Sequence, residues 1–206
     1  MIDIINAKFI SSHPNFADCA DFGLSEVAFL GRSNVGKSSL INALCNQNGL
    51  AKSSSTPGKT QLINFFEVEF LQSQKNSQNE VLKSKARAIF VDLPGFGYAK
   101  VSKEMHKSWE KNLSEFLQKR DYIRAFLHLI DSRHGELQKD NDLSEFLSAF
   151  VRPDQKILRI YTKADKLNQS QKAKIKALDK NAILVSAAKK TNISELREQI
   201  YCALFG

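Results

Sequence analysis

Short apolar runs alternate along the chain with longer stretches in which apolar residues recur every three or four positions. Residues 27–30, 86–93, 125–130, 156–161 and 182–185 are compact apolar runs, and each predicts a strand buried on both faces. Residues 62–71 are rich in aromatic and β-branched residues and end in alternation, which predicts a half-exposed strand. The apolar start, 1–5, predicts a first strand. Helical spacing appears over 38–46 (Leu40, Ile41, Leu44), 103–119 (Trp109, Leu113, Phe116, Leu117), 137–150, 169–178 and 193–204. The stretch 72–85 is polar and predicts a loose connection. Strand–helix alternation of this kind predicts an α/β fold in three layers: a mainly parallel sheet, expected to have six strands, with helices on both faces. One domain over 1–206 is expected. Ligands of such sheets bind beyond the carboxyl ends of the strands, so chemistry-bearing residues should gather there.

They do. Gly31-Arg32-Ser33-Asn34-Val35-Gly36-Lys37-Ser38 fits the phosphate-loop pattern and lies between a predicted strand and a predicted helix. Its glycines let the backbone curl around phosphate oxygens, and its amides converge at a helix N-terminus. Lys37 is expected to reach the β- and γ-phosphates, and Ser38 to offer its hydroxyl to Mg2+. Asp92-Leu93-Pro94-Gly95 ends another strand; Asp92 can hold Mg2+ through a water, and the Gly95 N–H can meet a γ-phosphate. Between them, 53–61 is small and polar, with Thr56 and Thr60 both able to complete a metal shell only when a γ-phosphate is bound. Thr162-Lys163-Ala164-Asp165 follows a strand as well. Guanine offers two adjacent N–H donors that one carboxylate, Asp165, can accept together. The stem of Lys163 can cover the base, and an amide of Val185, Ser186 or Ala187 can reach the guanine oxygen.

The ordered segments GRSNVGKSSLINAL, TPGKTQLINFF, DLPGFGYAKV, DSRH, TKADKL and VSA resemble the EngB (YihA/YsxC) family of bacterial ribosome-assembly GTPases, over about residues 22–186. The resemblance implies a Ras-like P-loop GTPase fold, GTP hydrolysis to GDP with Mg2+, a switch role in assembly of the large ribosomal subunit, and a link to cell division and septation. It selects Thr60 over Thr56 as the metal ligand and makes Gly58, Lys59, Thr60, Gln61 and Leu62 the switch segment at the nucleotide. Phe96 stands where the family more often has Tyr, and where many regulatory GTPases carry a water-orienting Gln. Slow intrinsic hydrolysis is therefore expected. Activation is expected from K+ held by Asn34 or from the ribosome in trans.

Charge adds a partner. The formal net charge is +8, and residues 151–206 hold twelve Lys/Arg against five Asp/Glu, a net of +7. That favours a polyanion, ribosomal RNA first. No apolar run approaches the ~20 residues that span a membrane, and Cys19, Cys45 and Cys202 form no paired or metal-binding spacing. A cytoplasmic monomer with reduced thiols is expected. A signalling or cell-division GTPase that recruits proteins without ribosome binding is the alternative, and a P-loop kinase or ATPase a third reading. His128, inside an apolar strand, reads as a packed core residue.

Overall fold

The computed structural model describes residues 1–52, 62–75, 80–95, 103–134 and 137–206, and of 103–110 only the backbone path. The strands are β1 (Ile2–His13), β2 (Glu26–Gly31), β3 (Ile63–Lys75), β4 (Val81–Asp92), β5 (Ile123–Asp131), β6 (Lys156–Thr162) and β7 (Ile183–Leu184). The helices are α1 (Lys37–Leu44), α2 (Lys103–Lys119), α3 (Gln138–Ser148), α4 (Gln169–Leu178) and α5 (Ile193–Phe205).

The strands form one sheet in the order β1-β3-β4-β2-β5-β6-β7. It has seven strands, one for each segment read as a strand from the sequence, rather than the six expected of the sheet. β4, β2, β5, β6 and β7 run parallel, whereas β1–β3 and β3–β4 are antiparallel. The polar stretch 72–85 is also corrected. β3 continues to Lys75 and β4 starts at Val81, paired in register from Gln72↔Ser84 to Lys75↔Val81.

Side-chain parity sets the layers. On β5, Ala125, Leu127 and Leu129 face α1 and α5, where Leu40, Ile41, Leu44, Leu196 and Ile200 complete one core. Phe126 faces the opposite way, into a core closed by Phe116 and Leu117 of α2 and by Leu143 and Leu147 of α3. A third cluster, with Ile130, Tyr161 and Leu184, receives Ile175 of α4. α4 itself has no buried residue. Its start is fixed instead by a reciprocal cap: Gln171 N–H donates to Asn168 Oδ1 and Asn168 N–H to Gln171 Oε1, both at 2.9 Å.

Two buried arginines lock the layers together. Arg120, after α2, grips Glu26 at the start of β2 with three hydrogen bonds of 2.7–3.1 Å. Arg197 of α5 donates to the carbonyls of Leu44 and Ala43 at 2.8 and 3.2 Å and to Asp3 at 3.2 Å. It thereby satisfies the carbonyl end of α1, which the helix cannot satisfy alone. His128 is fully buried with Nδ1 3.1 Å from Ser144 Oγ, in keeping with a packing role. Burial pushes the Cys45 thiol up to about 12, opposed only weakly by Arg197. No helix among the described residues is long and apolar enough to cross a membrane.

Candidate functional site

β2 delivers the chain to the phosphate loop at Gly31. A side chain there would meet the Leu129 carbonyl oxygen at 2.8 Å, so glycine is required for the loop to leave between β2 and β5. The loop then turns through two left-handed residues, Asn34 (φ 62°) and Gly36 (φ 106°). Glycine takes this conformation without steric cost and asparagine with little. A turn from Arg32 to Val35 (3.2 Å) precedes Lys37, the first residue of α1. The backbone therefore presents its amides at a helix N-terminus, which suits an anion. The Ser33 hydroxyl is buried and makes no hydrogen bond among the described residues. A phosphate oxygen would answer such an orphaned donor.

β4 ends beside β2, with Asp92 opposite Phe29, and this places Asp92 at the loop. Lys37 Nζ forms an ion pair with Asp92 Oδ1, and the two side chains are only 11% and 5% exposed. Leu93 and Pro94 are buried and carry the chain to Gly95. A Cβ on Gly95 would lie 3.0 Å from the Ser33 backbone, so glycine lets the strand end approach the loop without displacing it. Ser38 lies one residue into α1, its hydroxyl 3.5 Å from the Lys52 carbonyl. Leu62 is exposed at the start of β3. Thr56, Gly58, Lys59, Thr60, Gln61 and Phe96 lie outside the described residues.

The end of β6 is tied to the same loop. Thr162 Oγ1 donates to the Val35 carbonyl at 2.6 Å, with the Ile130 carbonyl at 3.2 Å. Lys163 adopts a left-handed backbone, φ 58°, and its ammonium donates to the Asn34 carbonyl at 2.6 Å and to Asp131 Oδ2 at 2.8 Å. Ala164 N–H bonds Val185 O at 3.0 Å, which joins the Thr162–Asp165 turn to the end of β7. There Ser186 Oγ donates to Asp165 Oδ1 at 2.7 Å and accepts the Lys189 N–H at 3.0 Å. This hydroxyl, more than the nearby Lys166, holds the Asp165 carboxyl below its usual range against the opposing effect of burial. The amides of Val185 and Ser186 are taken by Tyr161 O and Thr191 O. Of the three expected here, Ala187 is the one whose amide makes no hydrogen bond among the described residues.

Two carboxylates that the sequence reading assigned no role brace this site. Asp131, the last residue of β5, receives Lys163 and a bidentate grip from Arg133. Burial works to raise its carboxyl, but these hydrogen bonds outweigh burial and hold it far below the carboxylate range. Asp140, fully buried on α3, accepts Arg32 Nε at 3.1 Å and caps its own helix through the Leu137 N–H at 3.1 Å. Asp131 lies in the DSRH segment already singled out. For Asp140 the only local signal is its place in the first turn of a helix. The assembled site has loop amides at a helix N-terminus, a lysine, a serine hydroxyl, an aspartate at a strand end and a second aspartate oriented by the Ser186 hydroxyl. Such a set can hold a purine nucleoside triphosphate with its metal.

Comparison with known proteins agrees. The profile of the family described as 50S ribosome-binding GTPase matches residues 26–163. A Campylobacter lari protein called "Probable GTP-binding protein EngB" is 54% identical over 203 residues, 98% of either chain. Its Helicobacter hepaticus counterpart is 45% identical over 97% of this chain and 95% of its own. A solved structure of a probable GTP-binding protein engB shares the fold, with a TM-score of 0.58 over 87% of this chain and 98% of its own at 21% identity. Era, solved with MgGDPNP and nucleotides 1506–1542 of 16S ribosomal RNA, has a TM-score of 0.55 and 25% identity over 89% of this chain and 57% of its own. About half of all positions shared along nearly the whole length, on a matching GTPase profile and fold, mean that the chain belongs to the EngB family of GTP-binding proteins.

Proposed function

We propose that this protein is a single-domain, Mg2+-dependent GTPase whose GTP-bound form binds the large ribosomal subunit or its precursor during assembly. The observation that carries the nucleotide half is the Asp165–Ser186 hydrogen bond beside the phosphate loop, since it presets a carboxylate for the paired N–H donors of guanine. Asp165 reads those donors, Lys163 covers the base and the Ala187 amide meets the base oxygen. Residues 31–38 wrap the phosphates, with Lys37 on the β- and γ-oxygens and the Gly95 amide on the γ-phosphate. Mg2+ would be held by Ser38 and Thr60 with Asp92 in its outer shell, and there it would neutralise phosphate charge. Hydrolysis is slow without a cation at Asn34 or a ribosomal component that completes the site.

The ribosomal half is supported by charge and by burial. α4 carries Lys172, Lys174 and Lys176, followed by Lys180, and contains no acidic residue. Lys172 and Lys176 stand one turn apart, which costs a helix a few tenths of a kcal/mol. A polyanion would relieve that repulsion, and Era was solved with an RNA fragment bound. A cytoplasmic monomer fits this role. Sedimentation with purified large subunits tests it: co-sedimentation with a non-hydrolysable GTP analogue, and far less with GDP, is the expected result. Absent co-sedimentation in every nucleotide state would favour a GTPase that recruits protein partners instead, and equal co-sedimentation in every state would overturn the nucleotide switch.

A further inference from the structure

Asp131 closes β5 in register with Thr162 of β6, which places its carboxylate beside the first residue after β6, Lys163. Four N–H groups converge on it: Lys163 Nζ at 2.8 Å, Arg133 Nε at 3.0 Å, Arg133 Nη2 at 2.8 Å and the Arg133 amide at 3.1 Å. The Asp131 side chain is 7% exposed, whereas Arg133 is 43% exposed and holds it from the solvent side. Lys163 meanwhile sits in a left-handed backbone conformation that non-glycine residues seldom adopt, and such conformations persist only where the surroundings enforce them. Its ammonium bridges Asp131 and the Asn34 carbonyl, so the stem is pulled taut between β5 and the phosphate loop. A lysine stem otherwise samples many rotamers and would lose that freedom on binding.

We propose that Asp131 is a positioning residue for guanine-nucleotide binding: it fixes the Lys163 stem where the base lies, and Arg133 secures it from the other side. This rests on the reading of 162–165 as the base site. The carboxylate acts at the base end, remote from the γ-phosphate, so it supports GDP and GTP to the same extent. It acts only through Lys163, so its effect disappears when that side chain does.

Calorimetric titration with GDP, with a non-hydrolysable GTP analogue and with inorganic tripolyphosphate as a base-free probe tests this. Asp131→Asn, nearly isosteric, should weaken both nucleotides equally, by about tenfold for one charge-assisted hydrogen bond, and leave tripolyphosphate binding unchanged. Arg133→Gln, at the exposed end, should produce a smaller equal loss and carries the test alone if the buried variant does not fold. Added to Lys163→Ala, Asp131→Asn should weaken binding less than about twofold further. Unchanged nucleotide affinity, unequal loss for the two nucleotides, an equal loss for tripolyphosphate or additivity with Lys163→Ala would each overturn the proposal. If Lys163→Ala itself leaves GDP binding intact, the base-site reading falls; if it weakens GDP binding while Asp131→Asn does not, only the positioning role falls.

Discussion

Ser186 Oγ donates to Asp165 Oδ1 at 2.7 Å, so the end of β7 aims the carboxylate that follows β6. Asp165→Asn should reverse part of the donor–acceptor pattern, lowering GTP affinity and favouring xanthosine triphosphate, whose 2-oxo group accepts from an amide. Competition between the two nucleotides measures this, and undiminished preference for GTP would sink the assignment. The same bond has a pH signature. Asp165 has a depressed carboxyl, so its charged form is present above the ordinary carboxylate range and is lost only as pH falls through the lowered folded value. Ser186→Ala should return that value toward the ordinary carboxylate range and move the acid limit of GDP binding to higher pH.

Arg32 is the partner of a fully buried carboxylate, Asp140. Arg32→Ala should therefore leave a charge inside the protein without its cation. Breaking a buried pair costs about 3–5 kcal/mol, and because Arg32 is 20% exposed, we expect about 2–3 kcal/mol here after screening. Thermal unfolding should show a fall of roughly 5–10 °C. A variant within 1 °C of the parent would mean that the pair is not closed in solution.

Of the lysines on and after α4, Lys176 donates to the Ala182 carbonyl and is already engaged. Lys172, Lys174 and Lys180 are better placed for a partner. Neutralising these three to Gln should reduce the slope of log affinity for large subunits against log salt by about 2, each phosphate contact being worth roughly 0.7–0.9. GDP affinity should not change. An unaltered slope would move the RNA-binding face to another part of the surface.

Asn34 has a structural reason to be asparagine, its φ of 62°, as well as the proposed catalytic one. Glycine in its place keeps the turn and removes the amide. If Asn34 holds K+, the parent hydrolyses GTP faster in K+ than in Na+, and Asn34→Gly loses that difference while still binding GDP. Equal rates of the parent in both salts would leave the ribosome as the activator.

The sequence exposed those parts of the fold whose burial is one-sided and local. α4 is found over the expected 169–178 although it buries no residue, because the Asn168 cap fixes its start locally. The phosphate loop was legible because its glycines and lysine answer to local geometry. The outer part of the β3–β4 pair was not: from Val81 to Lys85 every residue is exposed, so no face imposes alternation. Only the first five residues of the chain are legible as part of β1, because register shifts between Ile4 and Asn6 and between Phe9 and Ser11 break its period. Asp131 and Asp140 are not legible as braces because the site residues they hold, Lys163 and Arg32, are 32 and 108 residues away. Only the fold brings them together.

The ion pair between Lys37 and Asp92 makes each residue a competitor for the other's task. A phosphate that takes Lys37 releases Asp92, and a cation that draws on Asp92 releases Lys37. The two ligands are then thermodynamically linked even without touching: each should raise the affinity of the other by the same factor, as reciprocity demands of any coupled pair of sites. Titrating GDP across a range of Mg2+ concentrations, and Mg2+ across a range of GDP, should return one coupling constant from both directions. Lys37→Met would be expected to abolish the part of it that passes through the lysine. On this view the pair acts as an interlock that makes half-loaded forms of the enzyme scarce.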